Sequence, residues 1–186
     1  MTRISEFQKV SLEQFTRDFK ADWEALVHAG EPFPDLEYKD EDLNELAAAA
    51  YENVKIPERA TKGSAGYDFV SPIDFTLATG CTIKIPTGIR AQIEDGWVLM
   101  IYPRSGLGFK YRLQLDNCVG VVDTDYYASD NEGHIFLKLT NDGKRGKKLE
   151  VKAGDRIAQG IFMPFGITHS DRVTAKRFGG MGSTGK

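Results

Sequence analysis

From Pro57 onward this sequence predicts an all-β sandwich or jelly roll, and three observations support that class. Short runs rich in β-branched or aromatic residues recur at 82–85, 88–93, 97–102, 134–139 and 156–162. Gly, Pro, Asn or Asp separates them at close intervals, as turns between antiparallel strands require. No helix-length periodic segment lies among them. The basic stretch 141–148 reads as a solvated hairpin loop, and there is no internal repeat.

The first fifty residues have a different period. Ser11 and Gln14 have capping-box form, so a helix is expected to start there. Leu12, Phe15, Phe19, Trp23 and Leu26 recur at spacings of three and four and form one apolar stripe. Gly30 is a suitable stop, and the Pro-rich 31–34 breaks the pattern. An acidic run then leads into a second helix lined by Leu43, Leu46, Ala47 and Ala50. Two such helices cannot bury their stripes alone, so they dock on the rest of the chain or on an unknown partner. A structural appendage is the preferred reading. The expected division is a helical extension (1–53), a β core (54–176) and a glycine-rich tail (177–186).

At 186 residues with 41% hydrophobic content, one main domain is the natural expectation. No apolar run reaches membrane-span length, and the N-terminus lacks an apolar signal core, so a soluble cytoplasmic protein without membrane contact is expected. Cys81 and Cys118 fit no metal spacing and are expected to be reduced and buried. Residues 1–60 carry 7 Lys and Arg against 14 Asp and Glu, a charge of −7, whereas 61–186 carry 17 against 13, or +4. An anionic ligand therefore belongs with the second part. The overall charge of −3 argues against a broad nucleic-acid surface.

The tail, 177–186, contains one Arg, four Gly, a Ser and a Thr. Glycines at this density let backbone N–H groups crowd an anion, and Arg177, Ser183 and Thr184 add donors suited to phosphate. Its Gly180 to Lys186 spacing mimics a Walker A loop, but no Ser or Thr and no helix follow the Lys, so that match is rejected. Four further polar islands interrupt the strands. Residues 65–68 place Asp68 behind a Gly and an aromatic ring. Residues 103–106 put Arg104, Ser105 and Gly106 at a strand end, a good arrangement for phosphate oxygens. In 117–126, strand period places Asp123 and Asp125 on one face, where a carboxylate is able to activate water. Residues 154–159 form a turn leading into a strand with an Arg and a Gln. Taken singly, each has a plain structural explanation as a turn or surface ion pair.

In this order the five islands resemble the trimeric dUTP diphosphatase (dUTPase) family, over roughly residues 54–186. Its motifs correspond to 65–68, 103–107, 120–126, 154–159 and 177–185. The resemblance implies a jelly-roll (β-clip) subunit in a homotrimer, with each site built from three chains and the tail closing over a neighbour's site. The implied reaction converts dUTP and water to dUMP and diphosphate, limiting uracil incorporation into DNA and supplying dUMP. Mg2+ would be held on the triphosphate, with no metal ligands from the chain. Asp123 matches the water-activating carboxylate, and Tyr126 the residue beneath the deoxyribose that excludes a 2′-hydroxyl. Asn117, with the backbone around Gly120 and Val122, matches the uracil-reading hairpin. Arg104, Ser105, Gly106 and Gln159 fall on the phosphate side. Arg177 matches the tail arginine on the γ-phosphate, with Phe178, Met181, Gly182, Ser183 and Thr184 in the closing tail. Asp68 and Asp155 match supporting positions.

The sequence departs from the family pattern in three places. Met181 stands where the usual tail has a Phe over the uracil face, and the spacing from Arg177 is one residue short, which makes Phe178 a candidate lid. Residues 127–132 are an insertion after Tyr126. The N-terminal helices lie outside the shared part. The alternatives are a dCTP deaminase-type enzyme of the same fold and a nucleotide-dependent binding or regulatory protein. The Asp123 and Tyr126 pair and the full glycine-rich tail favour the diphosphatase.

Overall fold

The computed structural model describes residues 2–23, 39–143, 146–175, 177 and 179. In chain order these form β1 (Ser5–Lys9), α1 (Leu12–Ala21), α2 (Asp40–Glu52), β2 (Glu58–Arg59), β3 (Tyr67–Val70), β4 (Phe75–Leu77), β5 (Thr82–Pro86), β6 (Ile89–Ile93), β7 (Trp97–Pro103), α3 (Ser105–Tyr111), β8 (Leu113–Leu115), β9 (Gly120–Val122), a 3-10 turn (Thr124–Ala128), β10 (Phe136–Asn141), β11 (Leu149–Val151) and β12 (Arg156–Pro164). The main sheet has the order β2-β3-β12-β7-β9, a second has β5-β10-β8, and β1-β6 and β4-β11 form separate pairs. Every described pairing is antiparallel. The chain is mostly β, as its strand runs predict.

Period-two alternation sets the core. In β7, Leu99 and Ile101 point inward; in β10, Leu137 and Leu139 do; in β8, Leu113 and Leu115 do. Ile83, Ile85, Ile89 and Ala91 complete the opposing wall, all of it in one continuous apolar cluster. Among the described residues no helix is long and apolar enough to cross a membrane.

The N-terminal helices join this same cluster through Phe15, Phe19, Ala47 and Ala50. Ser11 caps α1 by accepting the Gln14 N–H at 3.1 Å. The reciprocal half of the expected capping box is absent. Glu132, from the far side of the sequence, takes the Ser11 N–H at 2.8 Å and its hydroxyl at 2.6 Å. The Gln14 amide donates instead to Asp18 at 2.8 Å. Phe15 meets Phe19 and Tyr51 with ring centroids 5.9 and 5.4 Å apart. The small Ala47 and Ala50 are the buried side chains of α2 in this contact.

Several features differ from the sequence expectation. Residues 5–9 form a strand, β1, on the edge of β6, although Phe7 is its one large apolar residue; that ring packs on Tyr67, Phe69 and Phe162. The basic stretch 141–148 is not a hairpin loop, because β10 and β11 on either side of it pair in separate sheets. Cys118 is exposed in the turn between β8 and β9 rather than buried, whereas Cys81 is partly buried; both are free. The expected helix residues Leu26 and Gly30 lie outside the described residues.

Beneath α1, Gly88 is a point of close approach. Its φ is +73°, and a Cβ there would lie 2.5 Å from Val54 Cγ2. Its N–H donates to His134 Nε2 at 2.8 Å. The proton of this buried, neutral ring is thus on Nδ1, which donates to Asp18 Oδ2 at 2.6 Å. Because Phe15 is fully buried between the extension and the sheet, Phe15→Ala is expected to lower unfolding stability by about 3–5 kcal/mol. Urea unfolding of the full chain measures it. A loss below about 1 kcal/mol would mean that the extension is no part of the core.

Candidate active site

The motif residues gather in two clusters. The first lies where β3, β7 and β12 run side by side, Gln159 standing abreast of Asp68 on one side and Tyr102 on the other. Asp68, with its side chain 12% exposed, takes Arg104 Nε at 3.0 Å and Arg156 Nε at 3.4 Å. Both guanidiniums are held by Nε, which leaves their terminal amino groups as donors for an anion. Arg104 sits at the N-cap of α3, and Ser105 and Gly106 are exposed in its first turn. Backbone N–H groups of a first turn have no partner within the helix.

Gln159 braces this cluster. Its amide donates to the Pro103 carbonyl at 3.1 Å, holding the end of β7. A Cβ on Gly66 would lie 2.6 Å from its Oε1, so a larger residue there would push the Gln159 amide out of place. Asp155 shapes the turn, its carboxylate accepting the Lys152 N–H at 2.8 Å beside Gly154 at φ +92°. A cavity of about 380 Å³ opens here between Arg104, Leu107, Asp155 and Arg156.

The second cluster is the β8–β9 connection, which crosses from one sheet to the other where a hairpin was expected, and the turn after it. The Cys118 N–H bonds the Leu115 carbonyl at 2.9 Å, with Cys118 at φ +62° forming the tip beside exposed Asn117. Asp116 anchors the start of this connection to the Thr140 hydroxyl and, at 3.1 Å, to Lys138. Burial opposes its ionisation, but these two bonds outweigh it and hold the carboxyl below its ordinary value. A cavity of about 270 Å³ is lined by Ile101, Asn117, Gly120, Val122, Tyr126 and Arg177. Gly120 matters here because a Cβ would press to 3.2 Å from that of Ile101.

Strand period does not bring Asp123 and Asp125 together, because β9 ends at Val122. Asp123 caps the 3-10 turn instead, and the turn sets both carboxylates beside one guanidinium. Arg177 Nη1 stands 3.2 Å from each carboxylate and 5.4 Å above the Tyr126 ring, measured from Cζ. Its side chain is 11% exposed, whereas both carboxylates are about half exposed. Tyr126 is 4% exposed, and burial, ahead of the opposing Asn131 hydrogen bond, pushes the phenol above its ordinary 10.0. It is therefore a neutral phenol at physiological pH.

The clusters stand apart. Val122 pairs with Leu99 and Gly120 with Ile101. Continued by one residue, that register sets Asp123 abreast of Val98, six positions from Arg104, or about 20 Å along the strand. Phe178, Met181, Gly182, Ser183 and Thr184 lie outside the described residues. Arg156 is a site residue that the motif pattern does not single out: it stands beside Asp155 in sequence, but its partner Asp68 is 88 positions away.

Paired arginines suited to phosphate, and a cavity lined by Tyr126 and by an arginine that meets two carboxylates, define a β protein that takes a phosphorylated small molecule. The chain belongs to the dUTPase family, whose model matches residues 52–185. It is 42% identical over 135 residues to the deoxyuridine 5′-triphosphate nucleotidohydrolase of Lactococcus lactis subsp. lactis (strain IL1403), covering 71% of this chain and 89% of that one. The enzyme of the same description from Haemophilus influenzae (strain PittEE) is 40% identical over 139 residues, covering 70% and 87%. The crystal structure of dUTPase from Streptococcus mutans matches with a TM-score of 0.57 at 38% identity, over 64% of this chain and 91% of that chain. These relatives are described as nucleotidohydrolases, and the deaminase reading is not favoured.

The double pairing of Asp68 generates a prediction. Asp68→Ala strands two arginines that share one largely buried acceptor and is expected to cost about 1–3 kcal/mol. Denaturant unfolding of the two proteins checks it, and equal midpoints and slopes would show that the arginines do not depend on Asp68.

Proposed function

We propose that this chain's hydrolysis of dUTP to dUMP and diphosphate runs at a composite site, with Asp123 orienting and deprotonating the attacking water. The observation that supports this best is the half-exposed Asp123 carboxylate, 3.2 Å from Arg177, whose side chain lines the same cavity as Tyr126 and Asn117. Tyr126 lies beneath the deoxyribose, where a flat ring leaves no room for a 2′-hydroxyl. Asn117 and the backbone of Gly120 and Val122 read uracil; hydrogen-bonding groups matched to one base are left unpaired by another. Arg104, with the α3 N-terminus at Ser105 and Gly106, takes the phosphates, and Arg156 joins it. Gln159, Asp68 and Asp155 hold those groups in place.

A water and the phosphate it attacks must come within about 3–3.5 Å. The roughly 20 Å between Arg104 and Asp123 on one chain supports a site completed by further copies, as in a homotrimer. The apolar residues Val121 and Met163, both exposed on the main sheet, are suited to such a contact. In a single chain Arg177 rests on Asp123 and Asp125. A triphosphate is a stronger anion for that guanidinium, and moving there frees Asp123 to act as base. The tail donors Gly182, Ser183 and Thr184 close over the same phosphates, with Phe178 or Met181 over the base.

Mg2+ fits as a cation carried on the substrate. Among the described residues no three His, Cys, Asp or Glu side chains converge on a metal position. Magnesium keeps several waters and binds substrate phosphates with few protein ligands. When bound, it would neutralise phosphate charge, while the chain's arginines orient the same oxygens.

Two expectations follow. Asp123→Asn is expected to keep dUTP binding but to lose roughly 10²–10⁴-fold in kcat, the usual contribution of a general base; near-normal turnover in a diphosphate-release assay would remove Asp123 from that role. Inactive Asp123→Asn chains mixed with chains lacking 177–186 are expected to regain activity after subunit exchange, because a mixed trimer assembles an intact site. If verified exchange restores nothing, each chain closes its own site.

A further inference from the structure

Two parts of the chain outside the shared motif pattern, the 127–132 insertion and the N-terminal extension, meet behind Tyr126. Tyr126 Oη donates to the His134 carbonyl at 2.6 Å and accepts from Asn131 Nδ2 at 3.0 Å. With its donor and an acceptor position in use, the phenol fixes where its ring stands in the cavity. Asn131 is held in turn, its Oδ1 taking the Gly133 N–H at 3.2 Å and its carbonyl taking the His134 N–H at 3.1 Å.

The loop bearing Asn131 has little freedom to relax. Glu132 and Gly133 have φ of 56° and 69°, and a Cβ on Gly133 would lie 2.7 Å from Tyr127 Cα. Arg90 donates to the Tyr127 carbonyl at 2.7 Å and lies 3.7 Å over that ring. From the extension, Ser11 binds the Glu132 carboxylate through its N–H and hydroxyl, and Asp18 takes His134 Nδ1. Each group that touches the Tyr126 oxygen is thus itself tied to α1, directly or through its chain neighbour.

We propose that Asn131 is a positioning residue for Tyr126, and that residues 127–132 with α1 form one brace that sets the preference for a deoxyribonucleotide over a ribonucleotide. A 2′-hydroxyl is excluded by contact with the ring, so a ring able to retreat by a fraction of an ångström admits it. The inference rests on the reading of Tyr126 as the surface beneath the sugar.

The test measures kcat/KM for dUTP and UTP in the full chain carrying Asn131→Ala, Tyr126→Phe or both. Asn131→Ala is expected to lower the dUTP-over-UTP preference about three- to tenfold, the range of one hydrogen bond, with a smaller change in kcat for dUTP. In the Tyr126→Phe background there is no hydroxyl to hold, so adding Asn131→Ala is expected to change the preference by less than about twofold. An unchanged preference in the single variant, or an equal effect in both backgrounds, overturns the proposal. Tyr126→Ala separates the two levels. If it leaves the preference unchanged, the sugar reading is wrong and the brace falls with it; if it relaxes the preference while Asn131→Ala does not, the brace alone is wrong. Should Asn131→Ala fail to fold, Ser11→Ala and Glu132→Gln loosen the same loop from outside. A preference lowered by about twofold or more in these then supports the brace, and an unchanged one overturns it.

Discussion

A single buried imidazole holds the N-terminal extension, the β core and the Tyr126 cavity in one arrangement. His134 has no exposed surface, and both ring nitrogens are used, one by the Gly88 N–H and the other by Asp18. The ring also packs at 4.5 Å from Phe136 and 5.9 Å from Phe15, so the polar link sits inside an aromatic cluster. Water has little access there to compete for either bond. The main chain of the same residue receives the Tyr126 hydroxyl. A change in how α1 seats on the core therefore reaches Tyr126 through one residue, without a long path.

β7 imposes the second constraint. It pairs with β12 on one side and β9 on the other, and it delivers Arg104 at its C-terminal end while Asp123 leaves β9 abreast of its N-terminal half. Antiparallel pairing fixes these positions at opposite ends, and no side-chain movement closes about 20 Å. The phosphate-side group is rigid in its own right, because Asp68, Gln159 and the Asp155 turn each hold a different strand end. If the proposed composite site holds, it depends on how neighbouring copies seat rather than on a loop closing within one chain.

The β class was legible in the sequence because short runs of β-branched and aromatic residues, such as 82–85 and 134–139, are parted by Gly, Pro, Asn or Asp. With only Leu113 and Leu115 to mark it, β8 was not legible as a strand. β1 was not, since Ser5–Lys9 offers only Phe7 as a large apolar residue and its partner strand lies more than eighty positions on. Among site residues, the motif pattern pointed to Asp68, Arg104, Asp123 and Tyr126 without their partners. Asp68 joining Arg104 to Arg156, and Glu132 reaching Ser11 across 121 positions, are pairings made by the fold and have no local signature. The carboxylates of Asp123 and Asp125 do approach a common point, but through a 3-10 turn that the strand period did not foresee. The insertion was recognisable as extra residues, whereas its bond to Tyr126 depends on a loop conformation with positive φ at Glu132, which few non-glycine residues adopt.

Arg177 shows how one guanidinium can serve two states. On a single chain it meets two carboxylates at 3.2 Å, each about half exposed. Ion pairs to exposed carboxylates are worth about 0–1 kcal/mol, because water screens the attraction. A nucleoside triphosphate carries more charge in a smaller volume and presents planar sets of oxygens that suit the fork. On the role proposed for it, the guanidinium exchanges its two carboxylates for phosphate. Arrival of the substrate's phosphates would then draw the arginine away and leave the Asp123 carboxylate open to the attacking water. Arg177 and Asp123 are thus linked through the ion pair they share, because a group that leaves one partner for the other uncovers the first.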